Sequence, residues 1–426
     1  MKKIFLIIPV IIWMCACTEI TDEELIKNVQ AEKIKNITAW KNNPRQVISE
    51  EEAAGEIQIK IDRIRFYLEN HALDGVLLSK VRNVNWITAG QLNTQIVLNK
   101  DVGVAAVLIT SSGKRYVVCD NIEATRIMDE TMTALGFELI QFKWYESKPP
   151  PAGQAGNDRR ASLLSGYGKV ASDVPFPGTA DLPDDFQRLR YSFTGTELSR
   201  YRWLGKQVTE AVAEVCLAVR PGMDEYEIEA LTAASLNSRG ILPTVLLVGV
   251  DDRIFKYRHA LPFGQVLNKY AMINVVAEKW GMPVAVTRFV HFGDPPAEIR
   301  DKLDKTAFIN AMYEHATVPG ARLADIWEKC KDWYAEVGFE GEWELHHQGG
   351  AIGYNDREYV IYPGIDEEVQ ENQPFAWNPT IRGTKVEDTI IAHKNGFEVI
   401  TVSTGWPVIE VEIDGRIYPQ PDILIR

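Results

Sequence analysis

Leu345-His346-His347-Gln348-Gly349-Gly350-Ala351-Ile352-Gly353-Tyr354 is the stretch on which the reading of this chain turns. Two adjacent histidines run into a glycine-rich turn, a combination that reads as part of a metal or catalytic site. Imidazole ligates metals and moves protons near neutrality. The rest of the chain must decide between a working metal centre, another kind of active site and a retired one.

The chain has 426 residues, 46% of them hydrophobic and 25% charged. That fits a globular protein of two or three domains. Its net charge of −13 disfavours nucleic acid, because phosphate binding needs a basic face. Met1-Lys2-Lys3 followed by the apolar run Ile4–Met14 is too short to span a bilayer and fits the hydrophobic part of a signal peptide. The run ends at Met14-Cys15-Ala16-Cys17, which resembles a bacterial lipobox. Cleavage after Ala16 and lipid on Cys17 are expected, against the rival of an ordinary secretory signal. The protein is then anchored by lipid to a membrane of the bacterial cell envelope, its globular part outside the cytoplasm. Cys119, Cys216 and Cys330 have neither zinc spacing nor a disulfide framework and read as buried small hydrophobes.

The expected organisation is a signal peptide (1–16), a polar tether (17–48), a small α/β domain (49–190) and an α+β domain (191–426). Ser49 and Glu52 form a capping-box pattern that opens a helix with Ile57, Ile61, Ile64 and Leu68 at helical spacing. Strands are expected at 75–78, 85–88, 102–109, 115–118 and 137–140, with a helix around 121–135. Thr194 and Glu197 cap a second long helix that Arg220-Pro221-Gly222 breaks, and Asp224 with Glu227 caps a third. Strands are then expected at 243–250, 254–258, 270–279 and 283–292, helices at about 297–317 and 322–338, and strands to the C-terminus.

Five features resemble the creatinase, aminopeptidase P and methionine aminopeptidase family. They are the helix from Glu197 to Arg220-Pro221-Gly222-Met223, Arg258-His259-Ala260-Leu261-Pro262, Asn274 to Thr287-Arg288 through Gly281, His346 to Gly353, and Trp377-Asn378-Pro379 followed by Val386-Glu387-Asp388-Thr389. The resemblance implies a pita-bread C-terminal domain preceded by a smaller creatinase-like α/β domain. It also implies two divalent metals, such as manganese, held by two Asp, one His and two Glu. Carried over position by position, those ligands fall on Asn274, Ala285, Gly350, Asn378 and Glu387, and only Glu387 keeps a ligand of the expected kind. Two dications sharing a hydroxide need several anionic ligands, so no metal cofactor is expected. A mononuclear site from His346 or His347 with Glu387 is the weaker alternative.

The cleft is expected to present His259, His346 and Glu387 as catalytic candidates and Arg288, Tyr354 and Arg357 as substrate contacts. Tyr354 is expected to fill space left by missing ligands, and Arg288 has the alternative of pairing with Glu387 or Asp388. His347, His291, His393 and His315 read as structural or exposed. Three functions follow: a binding protein for a short peptide or small molecule, a metal-independent hydrolase of a small nitrogenous compound with His259 as acid and base, and a residual Xaa-Pro aminopeptidase. The resemblance also implies a homodimer.

Overall fold

The computed structural model describes residues 48–147 and 159–426. The expected signal peptide, most of the tether and Cys17 lie outside the described residues. The first helix, α1 (Glu50–Asn70), starts at the expected capping box: Ser49 Oγ accepts from the Glu52 amide while the Glu52 carboxylate accepts from the Ser49 amide. Its apolar stripe packs on a six-stranded sheet ordered β4-β3-β2-β1-β5-β6. These strands are β1 (Gly75–Lys80), β2 (Val102–Thr110), β3 (Arg115–Asp120), β4 (Glu138–Phe142), β5 (Val170–Ser172) and β6 (Ala180–Asp181).

Residues 85–88 are not a strand. Residues 85–87 belong to helix α2 (Val81–Ile87), which Thr88 follows as C-cap; its Asn83, Val84, Trp86 and Ile87 are buried in pairs along one face rather than alternately. The helix expected around 121–135 is confined to α3 (Ala124–Ile127) and a wider turn over Met128–Met132.

The second domain opens with α4 (Gly195–Ala218) and α5 (Glu225–Ser238), both started by the expected capping boxes. They pack on a four-stranded sheet ordered β19-β9-β8-β7, with β7 (Leu242–Val250), β8 (Tyr270–Lys279), β9 (Met282–His291) and β19 (Leu424–Ile425). The expected strand at 254–258 is instead the short helix α6 (Asp252–Lys256). Asp251, at φ 47°, turns the chain there, and its carboxylate accepts from the amides of Asn268, Lys269 and Tyr270.

Helices α7 (Ala297–Ala316) and α8 (Leu323–Glu336) lead to a second sheet ordered β11-β10-β12-β15-β16. It consists of β10 (Gly349–Ala351), β11 (Tyr359–Val360), β12 (Pro374–Trp377), β15 (Asp388–His393) and β16 (Gly396–Val399). Between β12 and β15 lies the hairpin of β13 (Thr380–Ile381) and β14 (Thr384–Lys385), and β17 (Val408–Ile413) pairs with β18 (Arg416–Pro421). This is the pita-bread arrangement, preceded by an α/β domain.

Charges bind the two domains together. Lys60 of α1 lies 2.6 Å from Glu56 and 2.7 Å from Glu197 of α4, and Arg200 lies 2.6 Å from Glu56. All four side chains are buried, two cations against two anions, so the cluster is neutral and breaking it strands a charge.

Candidate functional site

The site is built on the β8–β9 hairpin. Asn274 pairs with Thr287, and Val276 with Ala285. Side chains alternate along a strand, so these four share one face and Arg288 points to the other. Glu387 meets the shared face just before β15. The Thr287 amide donates to its carbonyl at 3.0 Å. Its Oε2 accepts from Asn274 Nδ2 at 2.6 Å and from Thr287 Oγ1 at 3.0 Å.

Two cations meet the same carboxylate. Lys385 Nζ lies 3.2 Å from Oε2, and Arg357 Nη2 lies 3.1 Å from Oε1. The Lys385 and Glu387 side chains are 5% and 2% exposed, and that of Arg357 is 20% exposed. Burial raises the Glu387 pKa, but Lys385 and then Arg357 outweigh it and hold the carboxyl below its ordinary range. Burial pulls the Lys385 ammonium down, and Glu387 opposes that pull.

Three histidines stand beside this cluster. His346 Nε2 and His259 Nε2 are 3.1 Å apart, so one ring nitrogen donates to the other. His347 stacks on His346, with centroids 4.5 Å apart. Their ring nitrogens offer three atoms within 4.8 Å of one another, a spacing that could hold a cation. Burial, then Lys385, lowers the pKa of His259. The same two causes bring His346 down to about 2, while burial, then Arg357, brings His347 to about 4. All three rings are therefore neutral at pH 7. His259 and His347 are exposed to solvent, and His346 is buried.

Two expected ligand contacts are corrected. Arg288 Nη2 lies 2.9 Å from Asp388 Oδ1 and also donates to the Thr401 carbonyl, while Nη1 donates to the Thr287 carbonyl. It is a buried strut behind the sheet. Tyr354 is 3% exposed, and its hydroxyl donates to Glu197 at 2.6 Å and accepts from Lys60 at 3.2 Å. That places it in the interdomain charge cluster. Its edge also borders a separate cavity of about 230 Å³ that Thr244, Glu278 and Asp356 help to line. Glu358 is likewise engaged elsewhere, 2.5 Å from Arg190.

The remaining positions singled out by the sequence lie in strands or buried turns. The Ala285 amide donates to Thr389 Oγ1, which donates back to the Ala285 carbonyl. Gly350 sits in β10 between Ala376 and Val360; a Cβ there would lie 2.4 Å from the Tyr359 carbonyl oxygen. Asn378 is 2% exposed, its amide bonded to the Gln348 carbonyl and its Oδ1 without a hydrogen-bond partner.

Lys385 was missed by the sequence reading, and His347 was read mainly as structural or exposed, entering only the weaker mononuclear alternative. Lys385 stands two residues before Glu387 in extended chain, a spacing that puts both on one side and could have revealed it. Nothing in the sequence separated His347 from a structural histidine. His291, His315 and His393 bond to Gly293, Tyr418 and Glu398 and stay out of the site, as expected.

Residues 200–397, which hold every group just described around Glu387, match the profile of Metallopeptidase family M24. That stretch of the chain is similar to this family. An uncharacterized peptidase of Staphylococcus aureus (strain MW2) is 22% identical over 367 residues, covering 80% of this chain and 98% of that protein. The prolidase from Pyrococcus horikoshii OT3 superposes with a TM-score of 0.67 at 17% identity, over 81% of this chain and 98% of its own. The Xaa-Pro dipeptidase from Bacillus anthracis gives 0.64 at 16% identity, over 87% and 100%. The likeness of fold to these structures extends through the N-terminal α/β domain.

Proposed function

We propose that this M24-like protein is a pseudo-peptidase: it binds a short peptide or small molecule in the cleft and does so without the paired metals of a dimetal peptidase. The observation that carries the reading is the state of Glu387, whose two oxygens already serve Asn274, Thr287, Lys385 and Arg357. Two dications sharing a nucleophile need several anionic ligands. Here Asn274 and Asn378 are neutral amides, and Ala285 and Gly350 have no donor atom in their side chains. The close approach of Tyr359 to Gly350 leaves no room for a ligand side chain on this backbone.

Charge argues the same way. At an effective dielectric of 20, two unit charges 4 Å apart interact by about 4 kcal/mol. A dication seated beside Lys385 at that separation is opposed by about twice as much, and Arg357 adds to it. The donor set does not fit a pair of divalent metals.

The test is incubation of the purified protein with manganese and a series of Xaa-Pro peptides. The reading expects no turnover and a peptide-dependent rise in melting temperature. Cleavage accompanied by metal uptake would restore the residual aminopeptidase reading and sink this one.

A metal-independent hydrolase is the second reading, favoured by the exposed, neutral His259 hydrogen-bonded to buried His346. A ring in that state can take a proton from a bound substrate. Turnover of a small nitrogenous substrate without metal, abolished by His259→Ala, would select it.

The lipobox-like Met14-Cys15-Ala16-Cys17 supports attachment to the cell envelope through Cys17. Incorporation of labelled fatty acid that Cys17→Ala removes is the expected result. A homodimer is carried by family resemblance alone, and sedentation of the full chain in a centrifuge reads it.

A further inference from the structure

The cluster around Glu387 has its charges the wrong way round for a metal, and that disagreement points to what it holds. Lys385 and Arg357 bring two positive charges to one carboxylate, leaving an excess of one inside a largely buried site. Arg288 and Asp388 do not alter the balance, because they pair with each other at 2.9 Å. Asp356, beside Arg357 in sequence, feels the Arg357 charge, but burial outweighs it and raises its carboxyl pKa, and it accepts from Thr244 Oγ1 at 3.4 Å.

Hydrogen bonding is unbalanced in the same sense. Both oxygens of Glu387 are taken, yet Arg357 Nη1, a donor, is buried without a partner. The Lys385 ammonium carries three N–H groups, and its ion pair is to Glu387 alone among the described residues. Against these donors stands one buried acceptor without a partner, Asn378 Oδ1. An amide can turn about its last bond and offer its NH2 group instead. Buried donors left unmet cost about 1–3 kcal/mol each, so a ligand that supplies acceptors and one negative charge meets both deficits.

We propose that the cleft is a charge-inverted M24 site: it seats an oxyanion, carboxylate or phosphate, against Lys385 and Arg357, where a dimetal peptidase seats cations. Arg357 offers the planar fork that pairs with two oxygens, and Lys385 the point charge. His259 and His347, exposed beside the cluster, bring neutral rings that donate a hydrogen bond without adding charge. The inference rests on the pseudo-peptidase reading and deepens it by naming the chemistry of the ligand group.

The experiment uses the full chain, with acetate, phosphate, manganese and zinc titrated separately by calorimetry at pH 7. One of the two anions should bind one per chain, which distinguishes the sources. Its affinity should fall at least tenfold in Arg357→Gln and recover in part in Arg357→Lys, with circular dichroism confirming that each variant is folded. Lys385→Met gives a second variant with the same expected loss. Saturable binding of neither anion, or equal affinity in Arg357→Gln, overturns the proposal; so does stoichiometric manganese or zinc binding that is lost on His346→Ala. A proline-containing tripeptide is titrated in parallel as the free acid and as the C-terminal amide. If both forms bind alike and Arg357→Gln changes neither, the anion site fails while the peptide-binding reading stands. If neither tripeptide binds although an anion does, that reading fails and the anion site stands.

Discussion

Glu387→Gln keeps the shape of the side chain and removes its charge, which leaves Lys385 and Arg357 facing each other without a counter-charge. Removing one partner of a buried ion pair costs about 3–5 kcal/mol. Here the cost has a ceiling, because Lys385 can shed its proton. From an ordinary pKa of about 10.4, giving up that proton at pH 7 costs about 4.6 kcal/mol, at about 1.36 kcal/mol per pH unit. By pH 9 the same step costs about 1.9 kcal/mol. The sign follows from proton counts. In the variant, folded Lys385 is held neutral while the unfolded chain keeps the proton up to about 10.4. The unfolded state binds more protons across that window, so stability rises with pH.

Glu387 itself does not blur the comparison. Its folded pKa is depressed, so the stability it confers on the native protein is complete above the unfolded carboxyl pKa and lost only on acidification. Urea unfolding of both proteins at pH 7, 8 and 9 reads the difference. A loss of about 3–5 kcal/mol at pH 7 that shrinks toward 2 kcal/mol at pH 9 is expected. A loss below about 1 kcal/mol, the range of an exposed pair, or one flat across this range would refute the argument that Glu387 holds two buried cations.

Other perturbations probe the same account. Glu56→Ala leaves two buried cations, Lys60 and Arg200, with Glu197 as the one remaining anion of the cluster, and should cost about 3–5 kcal/mol in urea unfolding, with Glu56→Ala/Lys60→Met recovering part of the loss. Gly350→His should fail to create a metal site and should lower stability by about 1–3 kcal/mol, because its Cβ meets the Tyr359 carbonyl at 2.4 Å. Retained metal together with unchanged stability would show that β10 yields. His346, brought down to about 2 mainly by burial, is neutral when folded while the unfolded chain protonates near 6.5. The unfolded state therefore binds more protons between those values, so native stability falls as pH drops through 6, and His346→Asn should weaken that acid dependence in unfolding curves at pH 4–7.

The helices were legible because their starts carry their own chemistry. Ser49, Thr194 and Asp224 each satisfy the first amides of a helix together with a glutamate three residues on, and all three boxes form. The β8–β9 hairpin was legible from its apolar runs. Asn85-Trp86-Ile87-Thr88 misled because a short apolar run fits a strand and a helix turn equally well, and Asp173 decides it. Its carboxylate accepts from the Ser79 and Lys80 amides and from Asn83 Nδ2, ending β1 and turning the chain into α2. Residues 83 and 173 meet only after folding.

In the site, position matching found Asn274 and Glu387, which share a hydrogen bond of 2.6 Å. It could not say which arginine reaches the cleft. Strand alternation puts Arg288 behind the sheet, whereas Arg357, from the loop before β11, comes to the front. Tyr354 was read as a filler of empty space because the sequence gives no hint that Lys60 and Glu197, far away along the chain, require its hydroxyl.

The most direct test of the central claim is the metal content of the purified full chain after dialysis against manganese and then against metal-free buffer, measured by plasma mass spectrometry. With Lys385 and Arg357 already paired to Glu387, no stoichiometric manganese should remain. Retention of about two manganese ions per chain, the complement of a two-metal site, would contradict the account.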